Sequence, residues 1–303
     1  MHDIIIIGAG PAGLTAAVYA LRANKSVLLI EKASFGGQVT FSPKIENYPG
    51  FTEASGNELA DHFFEHAVSQ GAEFELEEAV KIVDNGSTKT VVTDSGEHTA
   101  KAVIIATGAK HRMLGVPGEE DYVGNGISFC AVCDGAFYQD KEVIVVGGGN
   151  SALQEAILLC DNCKKVTVVQ NLSDFTGEKK LVDILLSKPN VSYIFDTVVK
   201  SFTGNGEDIS GAVVLNQKTG EETELSFDGA FIAIGLAPDN EAFAEVAQLD
   251  SYGYVASDEQ CLTNTEGVFT AGDCRTKKIR QITTAVADGA VAALAACNYI
   301  DTL

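Results

Sequence analysis

The chain has 303 residues, 46% of them hydrophobic, with 30 glycines and a formal charge of -21 at pH 7. That size and apolar content suit one large or two ordinary globular domains and exclude a disordered or fibrous chain, while the charge argues against nucleic acid or anionic lipid as a partner, because phosphates would be repelled. Apolar runs such as Ile4 to Ile7 and Ala290 to Cys297 fall short of the roughly 18 residues of a membrane span, and Met1-His2-Asp3 leads straight into a strand-like run with no leader pattern, so a cytoplasmic protein without a transmembrane helix is expected.

The first element is a strand, Asp3 to Ile7, which runs into Gly8-Ala-Gly10-Pro11-Ala12-Gly13 and an alanine-rich helical segment, Leu14 to Ala23. A second strand, Ser26 to Ile30, ends at Glu31. This is the order strand, glycine-rich turn, helix, strand that binds a dinucleotide. The first glycine permits the tight turn, the second lets a pyrophosphate approach the backbone, and the third lets helix and strand pack closely. The helix amino terminus then faces the phosphates. Glu31, 21 residues after Gly10, is placed to hydrogen-bond an adenosine ribose.

Further along, Lys101 to Gly108 reads as a short buried strand ending in a turn, and "GVPGEE" as a linker. Cys130 and Cys133 follow in "FCAVCDG", two residues apart, a spacing that closes into a redox disulfide and lowers the pKa of one thiol. Asp134 comes next and is placed to relay a proton to a departing thiolate.

The opening pattern then repeats: strand Glu142 to Val146, Gly147-Gly148-Gly149-Asn-Ser-Ala152, helix Leu153 to Cys160, strand Lys165 to Val169. Cys160 and Cys163 end that helix and read as structural, since cysteine packs as a small apolar residue. The two C-x-x-C pairs are separated by 26 residues, where a four-cysteine zinc site wants about 15 to 20, so no metal site is expected. Another buried strand ends at "FIAIGLAPDN", and the remaining tail is too short to fold alone. The expected fold is therefore α/β, with two Rossmann-like, three-layer ββα dinucleotide-binding domains, the second inserted in the first. The expected boundaries are 1–114 with 242–303 for the outer domain and 115–241 for the inner one.

The second nucleotide motif lacks charges that discriminate cofactors. Counting 21 residues from Gly149 lands on Gln170, followed by Asn171 and Leu172. A 2′-phosphate calls for arginine, yet the four arginines of the chain leave a gap from Arg112 to Arg275. Lys179 and Lys180 stand a turn later, so a weak nicotinamide site remains an open reading.

Taken together, "GAGPAG", "GGQV", "IENYPGF", "ATG", "CAVCDG", "GGGNSA", "GVFTAGD" and "RQITTA" make the chain resemble low-molecular-weight thioredoxin reductases from end to end. The resemblance implies a homodimer with one FAD per subunit. The positions it marks for FAD are Gly8, Gly10, Pro11, Ala12, Gly13, Glu31, Lys32, Gly37, Gln38, Asn47, Ala106, Thr107, Gly108, Gly272, Asp273, Arg280, Gln281 and Ile282. Asp273 would meet the ribityl or phosphate portion and Gln281 the flavin ring. It also implies that Cys133 faces the flavin, that Cys130 attacks the disulfide of thioredoxin, and that Asp134 is the acid. NADPH-using members carry His-Arg-Arg and a further Arg where this chain has Gln170-Asn171-Leu172 and Thr176. The chain is thus more similar to the ferredoxin-dependent members, so reduced ferredoxin, not NADPH, is the expected donor. The cationic run Arg275, Lys277, Lys278 and Arg280 is the expected steering patch for an acidic carrier, with Lys164/Lys165 and Lys179/Lys180 in reserve. A weak NAD(P)H-dependent reductase, a dithiol oxidase, a diflavin disulfide oxidoreductase and a flavin redox sensor without turnover are the alternatives.

Overall fold

A computed structural model describes residues 1–42 and 45–303. It divides into two compact units: residues 1–110 with 237–303, and residues 111–236. The crossings fall ahead of the 114/115 and 241/242 boundaries read from the sequence. They are made by short strands, β7 (Ala109–His111) and β16 (Leu236–Pro238), which pair with each other.

In the first unit β1 (His2–Ile7), β2 (Val27–Glu31), β3 (Glu73–Leu76) and the long β6 (Glu97–Ile105) form a parallel sheet in the order β3-β2-β1-β6. Ile4 and Ile6 face one apolar core and Ile5 and Ile7 the other. Both faces are therefore covered, which is why these strands read as unbroken apolar runs. β4 (Ala79–Asp84) and β5 (Lys89–Thr93) pair antiparallel and continue onto the first half of β6. Their Ile82 and Val91 cover one face of the parallel sheet.

Helix α1 (Pro11–Arg22) covers the other face, with α2 (Gly56–Ser69) against it. It begins three residues before the expected Leu14, because proline's fixed φ suits the first helical turn. α2 is opened by a capping box between Ser55 and Glu58.

The second unit repeats the plan. α3 (Glu119–Tyr122), β8 (Ile127–Ser128) and α4 (Ala131–Asp134) lead into β9 (Glu142–Val146), α5 (Asn150–Cys160), β10 (Lys165–Val169), α6 (Lys179–Leu186) and β11 (Val191–Ile194). An antiparallel sheet of β12 (Thr197–Gly204), β13 (Ile209–Asn216) and β14 (Glu222–Ser226) follows, then β15 (Gly229–Ile232). The parallel sheet runs β11-β10-β9-β15-β8. Val143 and Val145 face the helices, Ile144 and Val146 the antiparallel sheet. Each unit is thus the expected three-layer ββα sandwich, and the second is inserted between two segments of the first.

After the insertion, β17 (Val268–Thr270) joins the second half of β6, and α7 (Ile282–Asp301) closes the first unit. By length and composition alone α7 would span a membrane, at a mean hydropathy of 1.2. Its place is in the core, with Ala292, Ala293 and Ala296 buried against α1. Gly289 makes the crossing possible: a β-carbon there would lie 2.2 Å from the carbonyl oxygen of Ala12. Cys160 and Cys163 are buried in the second unit's core, where burial pushes both thiols up to about 11, so they are inert packing groups.

Candidate functional site

The first unit builds a dinucleotide cradle around Gly8, Gly10 and Gly13. Gly8 adopts φ +108°, and a β-carbon there would lie 2.3 Å from the Ala106 carbonyl oxygen; one on Gly13 would lie 1.9 Å from the carbonyl oxygen of Gly8. Both positions are closed to a side chain, while Gly10 has open space beside it. No side chain caps α1 at Gly10, so the first helical N–H groups of Ala12 and Gly13 remain available to an anion.

The other predicted cofactor positions gather around this loop. Gly36 donates its N–H to the Ala9 carbonyl at 2.7 Å, which brings Gly37 beside Gly10, with Gln38 next in the chain. Ala106 and Thr107, just past the end of β6, lie against Gly8, and Gly108 follows them. Gly272, at φ +81°, lies against Ala12. Asn47 donates to Gln281 at 3.3 Å, and Ile282, the first residue of α7, packs with Val39, Ile45 and Leu59.

Glu31 is held by N–H groups of Ala9 and Ala33 at 2.9 and 3.0 Å and forms part of the wall of a cavity of about 180 Å3. Lys32 is in the same wall, its ammonium committed to Glu78 and Asp239 at 3.2 and 2.6 Å. The rest of the wall includes Glu77, Ala79, Val80, Lys110 and Phe243, none of which any sequence motif marks.

Asp273 provides a separate indication of a missing partner. Burial pushes its carboxyl up to about 6 against the pull of Lys277 and Arg280, and its Oδ1 is buried with no hydrogen-bond partner. A buried orphan oxygen is costly unless something fills its place. A polyhydroxyl chain would satisfy it. The glycine cradle, the ribose acid and this orphan oxygen together fit FAD.

One expectation is overturned. The run from Arg275 to Arg280 is not a free cationic patch, because Asp288, just beyond it on α7, draws two of its members inward. Arg275 and Lys277 both bond that carboxylate, and each side chain is only 8% exposed. Arg280 lies over the Tyr254 ring at 4.2 Å and donates to the Asp273 carbonyl at 3.3 Å.

In the second unit Cys130 and Cys133 are joined as a disulfide at the start of α4, both partly buried, with Val132 exposed between them. Asp134 closes that turn. Burial raises its pKa while a hydrogen bond from Ser128 at 2.6 Å opposes the rise, and its Oδ1 is buried without a partner.

The second glycine loop is covered by its own neighbours. Gln170 is 3% exposed, and its amide nitrogen would lie 2.2 Å from a β-carbon on Gly148. Both ends of that amide are satisfied locally, by the Asp174 carbonyl at 3.2 Å and the Asn171 N–H at 3.1 Å. The N–H groups of Thr176 and Gly177 donate to the Gly148 carbonyl at 2.8 and 3.1 Å. Asn171, Leu172 and Thr176 are exposed and uncharged.

Two nucleotide-type units, one with a flavin-shaped cradle and one with a redox dithiol beside an acid, define a flavoprotein disulfide reductase. The family described as pyridine nucleotide-disulphide oxidoreductase matches residues 2–289. A thioredoxin reductase of Listeria monocytogenes is 42% identical over 303 residues, covering 100% of this chain and 95% of its own length. A Clostridium pasteurianum protein, "34.2 kDa protein in rubredoxin operon", is 45% identical over 301 residues, covering 98% and 97%. The crystal structure of thioredoxin reductase from Streptococcus pyogenes superposes with a TM-score of 0.95 at 44% identity, covering 100% of this chain and 99% of that one. The chain belongs to the low-molecular-weight thioredoxin reductase family.

Proposed function

We propose that this protein reduces the disulfide of thioredoxin, as a homodimer, with reduced ferredoxin and not NADPH as its electron source. The observation that carries the choice of donor is the loop from Gln170 to Thr176. It presents no cation to a 2′-phosphate, and its one buried side chain is turned onto Gly148 with its own hydrogen bonds made. The name of the Clostridium pasteurianum relative, which refers to a rubredoxin operon, agrees with a one-electron carrier as partner.

FAD, when bound by the first unit, supplies the electron pair that opens the Cys130–Cys133 disulfide. Gly8, Gly10 and Gly13 admit its pyrophosphate, Glu31 its ribose, and Asp273 its polar chain. The freed Cys130 thiolate attacks the thioredoxin disulfide, and Asp134 gives its proton to the sulfur that leaves. With Arg275 and Lys277 neutralised, steering of an acidic carrier falls to the exposed Lys165, Lys179 and Lys180 of the second unit.

A nicotinamide donor is the second reading, favoured by the intact Gly147–Gly149 loop at the start of α5 and by the names of the relatives. Anaerobic titration of the oxidised protein with reduced ferredoxin, NADPH and NADH, followed at the flavin absorbance, separates the two. Rapid bleaching by ferredoxin alone is the expected result; rapid bleaching by NADPH reassigns the donor.

A further inference from the structure

Ser128 ends β8, buried and fixed opposite Phe231 in the parallel sheet. Its hydroxyl stands between two groups of the redox site. It donates to Asp134 Oδ2 at 2.6 Å and accepts the backbone N–H of Cys130 at 3.1 Å. A hydroxyl carries one proton, so the Cys130 N–H takes an acceptor site on the serine oxygen and the serine proton is committed to the carboxyl. Oδ2 is then an acceptor whether Asp134 is ionised or not. The carboxyl proton is left to Oδ1, the buried oxygen with no partner of its own.

We propose that Ser128 is a positioning residue for proton transfer at the dithiol: it fixes Oδ1 as the oxygen of Asp134 that carries the transferable proton, and it ties that carboxyl to the Cys130 backbone. The inference rests on Asp134 being the proton donor in disulfide exchange. In that step the Cys130 thiolate forms a bond to one sulfur of the substrate disulfide as the substrate S–S bond breaks, and the sulfur that leaves takes the proton from Oδ1, leaving Asp134 as the carboxylate. The Cys133 thiolate then attacks Cys130 Sγ, closes the intramolecular disulfide and releases the second substrate thiolate, which is protonated by water. The pair loses two electrons and the substrate gains them.

The surroundings leave Ser128 as the polar group that tunes this acid. Tyr138, in the next turn, is pushed up to about 12 by its own burial and then by the charge of Asp134, and so stays neutral. On α5, packed against α4, Glu155 is pushed up to about 8 and Cys160 to about 11 by burial, and both are neutral near pH 7. The hydrogen bond from Ser128 favours the carboxylate, and its loss weakens the acid.

The test uses the flavoprotein and its Ser128→Ala, Ser128→Thr, Asp134→Asn and double Ser128→Ala/Asp134→Asn variants. The carboxyl carbon of Asp134, labelled with 13C and assigned through Asp134→Asn, is titrated in the oxidised protein. Chemically reduced protein is separately mixed with oxidised thioredoxin in a single turnover. Ser128→Ala is expected to make Asp134 roughly a tenfold weaker acid and to slow the saturating single-turnover rate about tenfold at unchanged half-saturation. Ser128→Thr restores both, and Ser128→Ala adds nothing to Asp134→Asn. An unchanged carboxyl titration in Ser128→Ala, or full additivity with Asp134→Asn, overturns the proposal. If wild-type protein does not reduce thioredoxin at all, it is the proposed function that fails, and the carboxyl titration still decides the role of Ser128.

Discussion

Arg275 meets Asp288 side-on, Nε to Oδ2 at 2.8 Å and Nη2 to Oδ1 at 2.7 Å, and Lys277 adds a third contact to Oδ2 at 2.9 Å. The same oxygen accepts the Gly272 N–H at 3.0 Å. One carboxylate of α7 thus fixes the turn that carries Asp273. Replacing it with alanine leaves two buried cations and a buried N–H without their partner. Asp288→Ala is expected to lose about 3–5 kcal/mol in urea unfolding at pH 7. Burial pushes Asp288 up, but the bonds from Arg275 and Lys277 outweigh it and leave its pKa below 3.8. Its contribution is therefore present above that value and lost as the pH falls through and below it, so the gap between wild type and variant should narrow in acid.

Flavin retention tests the cradle. Gly13→Ala places a methyl group against the Gly8 carbonyl, where a β-carbon has 1.9 Å, and Asp273→Ala removes the orphan carboxyl. Purified Gly13→Ala should carry little flavin by its absorbance ratio. Asp273→Ala should fold and bind FAD at least about tenfold more weakly, the order of one lost charged hydrogen bond.

Leu172 and Thr176 are exposed, so arginines introduced there displace no core, and the change at Thr176 gives up only its hydroxyl bond to the Gly148 carbonyl at 3.2 Å, which keeps its two backbone donors. Leu172→Arg/Thr176→Arg is expected to tighten NADPH binding, read by calorimetry, about tenfold or more while leaving NADH unchanged. Equal gains for both nucleotides would mean that the new charges act on the shared pyrophosphate.

Glu155 has a buried Oε2 without a partner, and burial pushes its pKa up to about 8 from 4.5. The folded state therefore holds a proton that the unfolded chain releases, and stability on this account falls as pH rises from about 4.5 to about 8. Glu155→Gln removes that dependence. Its thermal midpoint should exceed that of wild type at pH 8 and converge with it near pH 4.5.

Much of this arrangement was legible in the chain because glycine spacing and apolar runs answer to backbone geometry. Gly8 and Gly13 have no room for a side chain, and Ile4 to Ile7 had to lie between two covered faces. The opening of β6 at Glu97, four residues before the expected Lys101, was hidden because its polar Glu97, His98 and Thr99 answer to β5 and not to a core. The cavity wall at Glu77 to Val80 arrives through strand pairing and bears no pattern of its own. The cationic run was misread for a different reason. Its counter-charge, Asp288, lies a turn and a half into α7, eight residues past Arg280, where nothing in the spacing ties it to the cations. Ser128 left no trace either, since a lone serine in a strand is ordinary until Asp134 folds back onto it.

The N–H groups of Thr176 and Gly177 that close on the Gly148 carbonyl are backbone groups, which every residue except proline possesses. The shape of that loop is therefore indifferent to the side chains at Asn171 and Leu172, while the Thr176 hydroxyl adds a further bond to the same carbonyl at 3.2 Å. Asn171 and Leu172 can therefore be exchanged without loss of the loop's backbone bonds, which frees the charge of this surface to vary independently of the fold.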